Sequence, residues 1–402
     1  MLKRTAARQK WQRRVRAVVL VCCLALSVLP TICAAADGKA ADRQTIGLIL
    51  PLTGRYAELG NRALDAALLA AGLFDETKVT PVRFLIEDSR GDPTVAGAAV
   101  EKLAAAGAVC ILGPLGSQEA LEAAKTAQRL KIPILTLTQK EGITGVGEYV
   151  FRNFLTATMQ IRTLVEYART TLGQRRFAIL YPDDLYGREM ARLFKDEVRR
   201  LGGAIRRERS YKTDQTDFAE EVAALGGRAP VRSGAEGAGG GSPKRTVDFD
   251  ALFIPDAALR VALIAPQLVY YDLTGIRLLG TSGWDAPELL KTDPAHLQGA
   301  VFVSGFFANS FRPQVNRFTE AFYMAYGREP DVLEALVYDA AGMAVRLLTE
   351  NRGGTREELG KGFLQVKGYP GVTGKTSFPA SRDAEKELFV LTVKDGQIMQ
   401  VK

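Results

Sequence analysis

Histidine is almost missing from this chain. His296 is the only one among 402 residues, and it lies in the polar segment TDPAHLQG. Cysteine is nearly as scarce, with four in total, three of them (Cys22, Cys23 and Cys33) inside the first forty residues. One histidine and one remaining cysteine are too few for a zinc site built from those side chains. They also leave no serine or cysteine nucleophile with a plausible base, so an enzymatic reading has little support and no metal or cofactor is expected. After the first forty residues no apolar run is long enough to span a membrane.

The N-terminus is different in kind. Lys3, Arg4, Arg8, Lys10, Arg13, Arg14 and Arg16 precede AVVLVCCLALSVLPTICAAA, an apolar run broken by Pro30 and ending in small residues. This is the pattern of a secretory leader covering residues 1–36, cleaved after Ala36, and a membrane anchor is the less favoured alternative. None of Cys22, Cys23 or Cys33 follows the small residue that lipid attachment requires, so lipoprotein anchoring is not expected. The leader carries seven basic residues and no acidic one, so its loss takes the formal charge from +8 to +1. The basicity that would suggest nucleic acid therefore disappears. Cys110, alone in AVCIL, can form no intrachain disulfide and reads as a buried thiol.

From Thr45 short apolar runs alternate with amphipathic ones: TIGLIL, VRFLIED, AVCILG and IPILTLT, separated by helix patterns such as TVAGAAVEKLAAAG and SQEALEAAKTAQRL. A second series runs from RRFAILYPDD to IRLLGTSG. Strand–helix alternation predicts parallel sheets covered on both faces, and two series predict two α/β lobes. The stretch GGRAPVRSGAEGAGGGSPKR, residues 226–245, has no apolar residue larger than Val231 and reads as a flexible insertion within the second lobe. In EDSRGDP, Asp92 or Thr94 is placed to cap the next helix. Asp395 and Gly396 are placed to turn a closing hairpin.

The order of IGLILPLTGRYAELGNRALDAALLA, IEDSRGDPTVAGAAVEKLA, ILGPLGSQEALEAA, IPILTLTQ, YVFRNFLTATMQ and AILYPDDLYGREMARLFKDEVRRLGG resembles the type I periplasmic binding proteins, leucine/isoleucine/valine branch. The resemblance covers nearly all of residues 44–402. It implies two doubly wound parallel-sheet lobes joined by three crossings, near Phe154–Thr156, Ser304–Phe306 and Val372–Lys375. The first lobe would hold residues 45–154 plus 306–371, and the second 155–305 plus 372–402.

In a doubly wound sheet ligands sit at strand C-terminal ends. Thr53 and Gly54 follow the first strand, and Leu115, Gly116 and Ser117 open a helix whose free N–H groups favour an anion. Read alone, Ser117 is as well explained as a helix cap. The resemblance implies that Ser117 helps bind an amino acid's carboxylate and that Thr138, Lys140 and Tyr186 line the cleft. Lys140 stands where the family usually has threonine. Ala257 replaces an aromatic, and Ser282 replaces the acid that would face an ammonium group, so a carboxylate or other anion is the better expected ligand. Trp284 reads either as a pocket cover or as core.

The implied function is exported solute capture for an inner-membrane ABC transporter permease, with a small-molecule ligand and a periplasmic location. The alternative, carried by LILPLTG, FDALFIPD and LLGTSGW, is a resemblance to the binding-protein-like domain of penicillin-binding-protein activators, which act on peptidoglycan synthases by protein contacts. Deleting Arg228 to Pro243 is expected to leave the melting temperature nearly unchanged; a calorimetric scan showing a large drop would mean that the insertion packs.

Overall fold

The computed structural model describes residues 44–72, 82–227, 247–291, 293–350 and 354–401. The leader and nearly all of the insertion, from Arg228 to Thr246, fall outside them. Strands β1 (Gln44–Leu50), β2 (Val82–Asp88), β3 (Ala108–Leu112), β4 (Ile134–Thr136) and β5 (Val150–Arg152) form a parallel sheet in the order β2-β1-β3-β4-β5. Helices α1 (Ala57–Ala70), α2 (Pro93–Ala105) and α3 (Ser117–Arg129) connect the first four strands.

The sequence pattern explains the layering. β1 is buried along all but its first residue, as a central strand covered on both faces must be. β2, at the edge, keeps Arg83 exposed and Glu87 partly so. α2 and α3 meet through Ala96, Ala99, Ala120, Ala123, Ala124 and Ala127, all buried, whose small side chains let the two helices approach closely. Asp92 caps α2, its carboxylate accepting from Val95 N at 2.9 Å.

The chain then passes to a second sheet through α4 (Ala157–Thr170). There β6 (Arg176–Pro182), β7 (Ala204–Tyr211), β8 (Ala251–Phe253), β9 (Arg277–Gly280) and β10 (Val301–Ser304) run parallel, with α5 (Leu185–Arg200), α6 (Ala219–Leu225) and α7 (Ala258–Tyr270) between them. The closing hairpin, β14 (Phe389–Lys394) and β15 (Gln397–Gln400), adds antiparallel to β10, giving the order β15-β14-β10-β9-β8-β6-β7. Asp395 and Gly396 both have positive φ, 51° and 72°, the backbone a two-residue hairpin turn requires. The core under this sheet is aromatic: Phe194 stacks on Phe253 at 4.2 Å and meets Phe177 edge-on at 5.6 Å.

After β10 the chain returns to the first sheet. Helices α8 (Pro313–Tyr326) and α9 (Val332–Glu350) pack on α1, and α10 (Arg356–Gln365) packs on β3. The third crossing differs from its expected place at Val372–Lys375. β11 (Tyr369–Gly371), β12 (Gly374–Ser377) and β13 (Glu385–Lys386) form a separate three-stranded sheet. Phe378, just after β12, lies against Phe151 and Phe363 of the first sheet's layer. Only from Phe389 does the chain join the second sheet, so residues 372–386 stay with the first. Two sets of contacts hold it there: the bridge and ion pair of Asp383 with Arg152 of β5, and a buried polar network. Asp339 on α9 accepts from Val372 N at 2.7 Å, Thr373 N at 2.8 Å and the Thr373 hydroxyl. Lys386 Nζ donates to Thr373 Oγ1 at 2.8 Å and Thr376 Oγ1 at 2.9 Å.

Burial lowers the Lys386 pKa to about 8, against a smaller opposing pull from Asp339. The unfolded chain thus binds more protons than the folded one between about pH 8 and 10.5, and stability rises with pH across that window. Urea midpoints measured from pH 7 to 10.5 should increase for the native protein, and Lys386→Met should flatten the rise.

Candidate functional site

Strand order fixes where a ligand can meet this fold. In the first sheet the chain moves from β1 to β2 on one side and then to β3 on the other; in the second it moves from β6 to β7 and then to β8. Each reversal opens a crevice outside the strand C-terminal ends, between β1 and β3 and between β6 and β8. Close approach shapes both. A Cβ at Gly60 would stand 2.1 Å from the Pro51 carbonyl oxygen, and one at Gly187 2.1 Å from that of Pro182. The helix after each leading strand therefore presses onto that strand's end. At Gly113, with φ of +95°, a Cβ would lie 2.2 Å from the Ile49 oxygen, so glycine brings the end of β3 against β1.

Thr53, Leu115, Gly116 and Ser117 all follow the strands that bound the first crevice. Tyr186 and Ala257 follow those of the second. Thr138 and Lys140 follow β4, and Ser282 follows β9. Thr53 is exposed but engaged: its Oγ1 donates to Asp88 Oδ2 at 2.6 Å. Gly116, rather than Ser117, caps α3; Ser117 is the first helical residue, half-buried, and its hydroxyl makes no hydrogen bond among the described residues. Leu115 packs on the core. Thr138 is fully buried and its Oγ1 accepts from Lys140 N at 3.3 Å, which bends the backbone after β4. Lys140 is half-exposed and forms no ion pair among the described residues.

On the second sheet Tyr186 is about half exposed, and its hydroxyl lies 3.3 Å from Thr281 Oγ1, reaching past the end of β8 to the end of β9. Burial of that end pushes its pKa up. Ala257 is exposed at the start of α7. Ser282 N donates to Gln160 Oε1 at 2.9 Å. Trp284 is fully buried and donates from Nε1 to Ile254 O at 3.1 Å, so it is core and not a pocket cover.

Three features escaped the sequence pattern. Glu119 on α3 is 3% exposed, and its Oε1 accepts from Ser89 Oγ at 2.5 Å; a glutamate three residues after a helix cap was the available signal. Leu185 and Leu259, 83% and 61% exposed, stand at the first turns of α5 and α7 beside the second crevice. Beyond it, at the end of β7, lies a groove of about 690 Å³ lined in part by Asp183, Lys212, Asp214 and Glu220; none of the expected site residues borders it. Among the described residues no group of three or more acidic, histidine or cysteine side chains could hold a metal, and no helix is long and apolar enough to cross a membrane. Cys110 is buried, which pushes its thiol pKa up to about 12.

The periplasmic binding protein model matches residues 43–397, and the chain belongs to that family. A putative branched-chain amino acid ABC transporter structure from Rhodospirillum rubrum is 22% identical, with 89% of this chain and 99% of that one covered and a TM-score of 0.78. An ABC transporter substrate-binding protein from Desulfitobacterium hafniense in complex with Leu is 20% identical, with 89% and 99% covered and a TM-score of 0.63. A solute-binding protein from Rhodopseudomonas palustris in complex with 3,4-dihydroxybenzoic acid is 21% identical, with 89% and 95% covered and a TM-score of 0.60. At such identities the likeness is one of fold. An uncharacterized protein of Methanocaldococcus jannaschii is 26% identical over 185 residues, 43% of this chain and 44% of that protein, so the match spans less than half of that relative.

The first crevice depends on Asp88, which accepts from Leu52 N at 2.8 Å, Arg90 N at 2.9 Å and both donors of Thr53. Partial burial pushes its pKa up, but these hydrogen bonds outweigh it and the net shift is down. Asp88→Ala should cost about 1–2 kcal/mol in urea unfolding, and the loss should shrink as acid protonates the native carboxylate.

Proposed function

We propose that this protein is a periplasmic solute-binding protein that captures a small carboxylate-bearing, amino-acid-like ligand between two lobes for an ABC-type transporter. The observation that carries this reading is the first crevice. There a 13-residue helix begins at Ser117, whose hydroxyl is uncommitted, behind a glycine cap that leaves backbone N–H groups approachable. A helix start of this kind favours a carboxylate. The second crevice supplies the complementary half, since Leu185, Leu259 and the ring of Tyr186 offer apolar surface to a ligand's side chain. The complexes of related fold with Leu and with a benzoic acid share a carboxylate joined to an apolar body. Transport coupling would follow from lobe closure, which a ligand drives only as far as it binds the closed form better than the open one.

A second reading, a regulator of cell-wall synthesis acting through protein contacts, draws on α7. Leu259, Leu263, Val269 and Tyr270 are all exposed along this one helix. Thermal-shift assays with amino acids, dicarboxylates, short peptides and cell-wall fragments, on protein refolded once to strip bound ligand, separate the two. A true ligand at 100 times its dissociation constant should add about 2.7 kcal/mol of stability. Ser117→Ala should then weaken a carboxylate ligand by about 1–3 kcal/mol. Unchanged affinity would remove Ser117 from the site, and silence across the panel would favour the regulator.

A further inference from the structure

We infer that Glu119 is a ligand-binding residue: it receives the positively charged amino group of the ligand on the first lobe, in place of the acid that Ser282 replaces on the second. This rests on the solute-binding reading above. The placement is set by topology. Ser89 follows β2 and Glu119 lies on the helix after β3, while β1 runs between those two strands. The bond from Ser89 Oγ to Glu119 Oε1 therefore spans the end of β1 and puts a carboxylate on the floor of the first crevice.

That carboxylate is unfinished. An ionised glutamate offers two oxygens with about four acceptor positions, and a buried charge is tolerated only where its hydrogen-bonding is met. Glu119 is only 3% exposed, yet among the described residues it accepts a single hydrogen bond, on Oε1. Its other oxygen, Oε2, lies against the Gly116 backbone. A Cβ built on Gly116 would stand 2.1 Å from Oε2. Glycine at 116 thus lets the carboxylate lie close against the start of α3, where a larger residue would push it aside.

The neighbouring groups make chemical sense of this. Ser117, the next residue, begins the helix that suits a carboxylate, and in an α-amino acid the carboxylate and the ammonium are carried on one carbon. A ligand whose carboxylate meets Ser117 and the free N–H groups of α3 presents its ammonium within the same helix start, where Glu119 lies. On the second lobe Ala257 and Ser282 carry no charge, and Asp183, Asp184 and Asp256 are engaged: Asp183 pairs with Arg188 at 2.6 Å, Asp184 caps α5 through Gly187 N at 2.7 Å, and Asp256 accepts from Tyr211 Oη at 2.5 Å and Ala257 N at 2.6 Å. Counter-charge for an ammonium is thus supplied from below the glycine cap, and both polar ends of the ligand belong to the first lobe.

Leucine, glutamate and arginine, each paired with the acid that lacks its α-amino group, provide the test by calorimetric titration of the whole exported protein. At least one amino acid should bind about tenfold or more tightly than its des-amino partner, the range expected for a hydrogen bond to a charged group. Glu119→Gln should bring the pair to within about threefold, whereas Ser89→Ala, which keeps the carboxylate but removes its anchor, should reduce the preference less than Glu119→Gln does. Should Glu119→Gln fail to fold, Gly116→Ala, whose methyl would stand 2.1 Å from Oε2 and force the carboxylate aside, should reduce the preference instead. Equal binding of an amino acid and its des-amino partner by the native protein overturns the role of Glu119 and leaves the carboxylate site intact. A preference that survives Glu119→Gln overturns it as well. Binding of no acid of either kind overturns the solute-binding reading and this inference together.

Discussion

A parallel strand that feeds a helix ends with the helix's first N–H groups directed outward beyond the sheet, and they cannot be satisfied from within the helix. Part of the candidate site follows from how this chain meets those donors. Asp92 caps α2, Asp184 caps α5 and the Thr156 side chain caps α4. At α3 and α7 the cap positions are Gly116 and Ala257, which bring no side-chain acceptor. Side-chain caps are absent at α1, α6 and α8 as well, so the starts after β3 and β8, the strands across which each sheet reverses direction, share this feature with helices elsewhere.

Much of this could be read from the residues. Alternating apolar runs predicted two series of parallel strands, and continuous burial of β1, β4 and β8 agrees with coverage on both faces. Asp92 as cap and Asp395–Gly396 as turn were legible because each depends on neighbours within four positions. Ser117 was placed correctly at a helix start but one position off as a cap, since a glycine can end a strand without advertising itself as the boundary. What the pattern could not give was contact across the chain. Glu119 reads as the solvent face of an amphipathic helix; only the bond to Ser89, thirty residues earlier, shows it to be buried. Trp284 was ambiguous for the same reason, and its place under β8 is set by the Ile254 carbonyl.

The third crossing shows how a buried polar network can move a boundary. Periodicity gives no reason for residues 372–386 to stay beside α9. One reason, beside the Arg152–Asp383 pair, is Asp339, a carboxylate with three donors around it, whose burial raises its pKa while Lys386 and Thr373 pull the other way. Breaking such a set leaves an uncompensated charge, which costs far more than the set contributes when intact. The segment is therefore held to the first lobe by the penalty for leaving. Glu387, the next residue, reaches Arg312 of the preceding return segment at 3.7 Å, and Arg312 lies over Phe389 at 4.3 Å. The segments around Arg312 and Glu387 are consequently joined to each other by charge and ring contacts, close to the point where the chain changes sheets.

The division of labour between the crevices has a consequence for closure. A ligand shifts the open–closed balance only through interactions that one state has and the other lacks. If Ser117, Glu119 and the free helix start hold the polar ends of a ligand as proposed, those ends are met before the lobes approach, and those interactions contribute equally to both states. Closing then adds the surfaces of Leu185, Leu259 and Tyr186, whose exposure in this structure is the area a bound side chain would cover. At about 25 cal/mol per Å² of apolar surface, the size of the ligand's apolar part sets how strongly it favours the closed form. On the proposed reading, recognition by charge and closure by burial would fall to different lobes, so a compound with the right polar end and too small a body would bind without closing the protein.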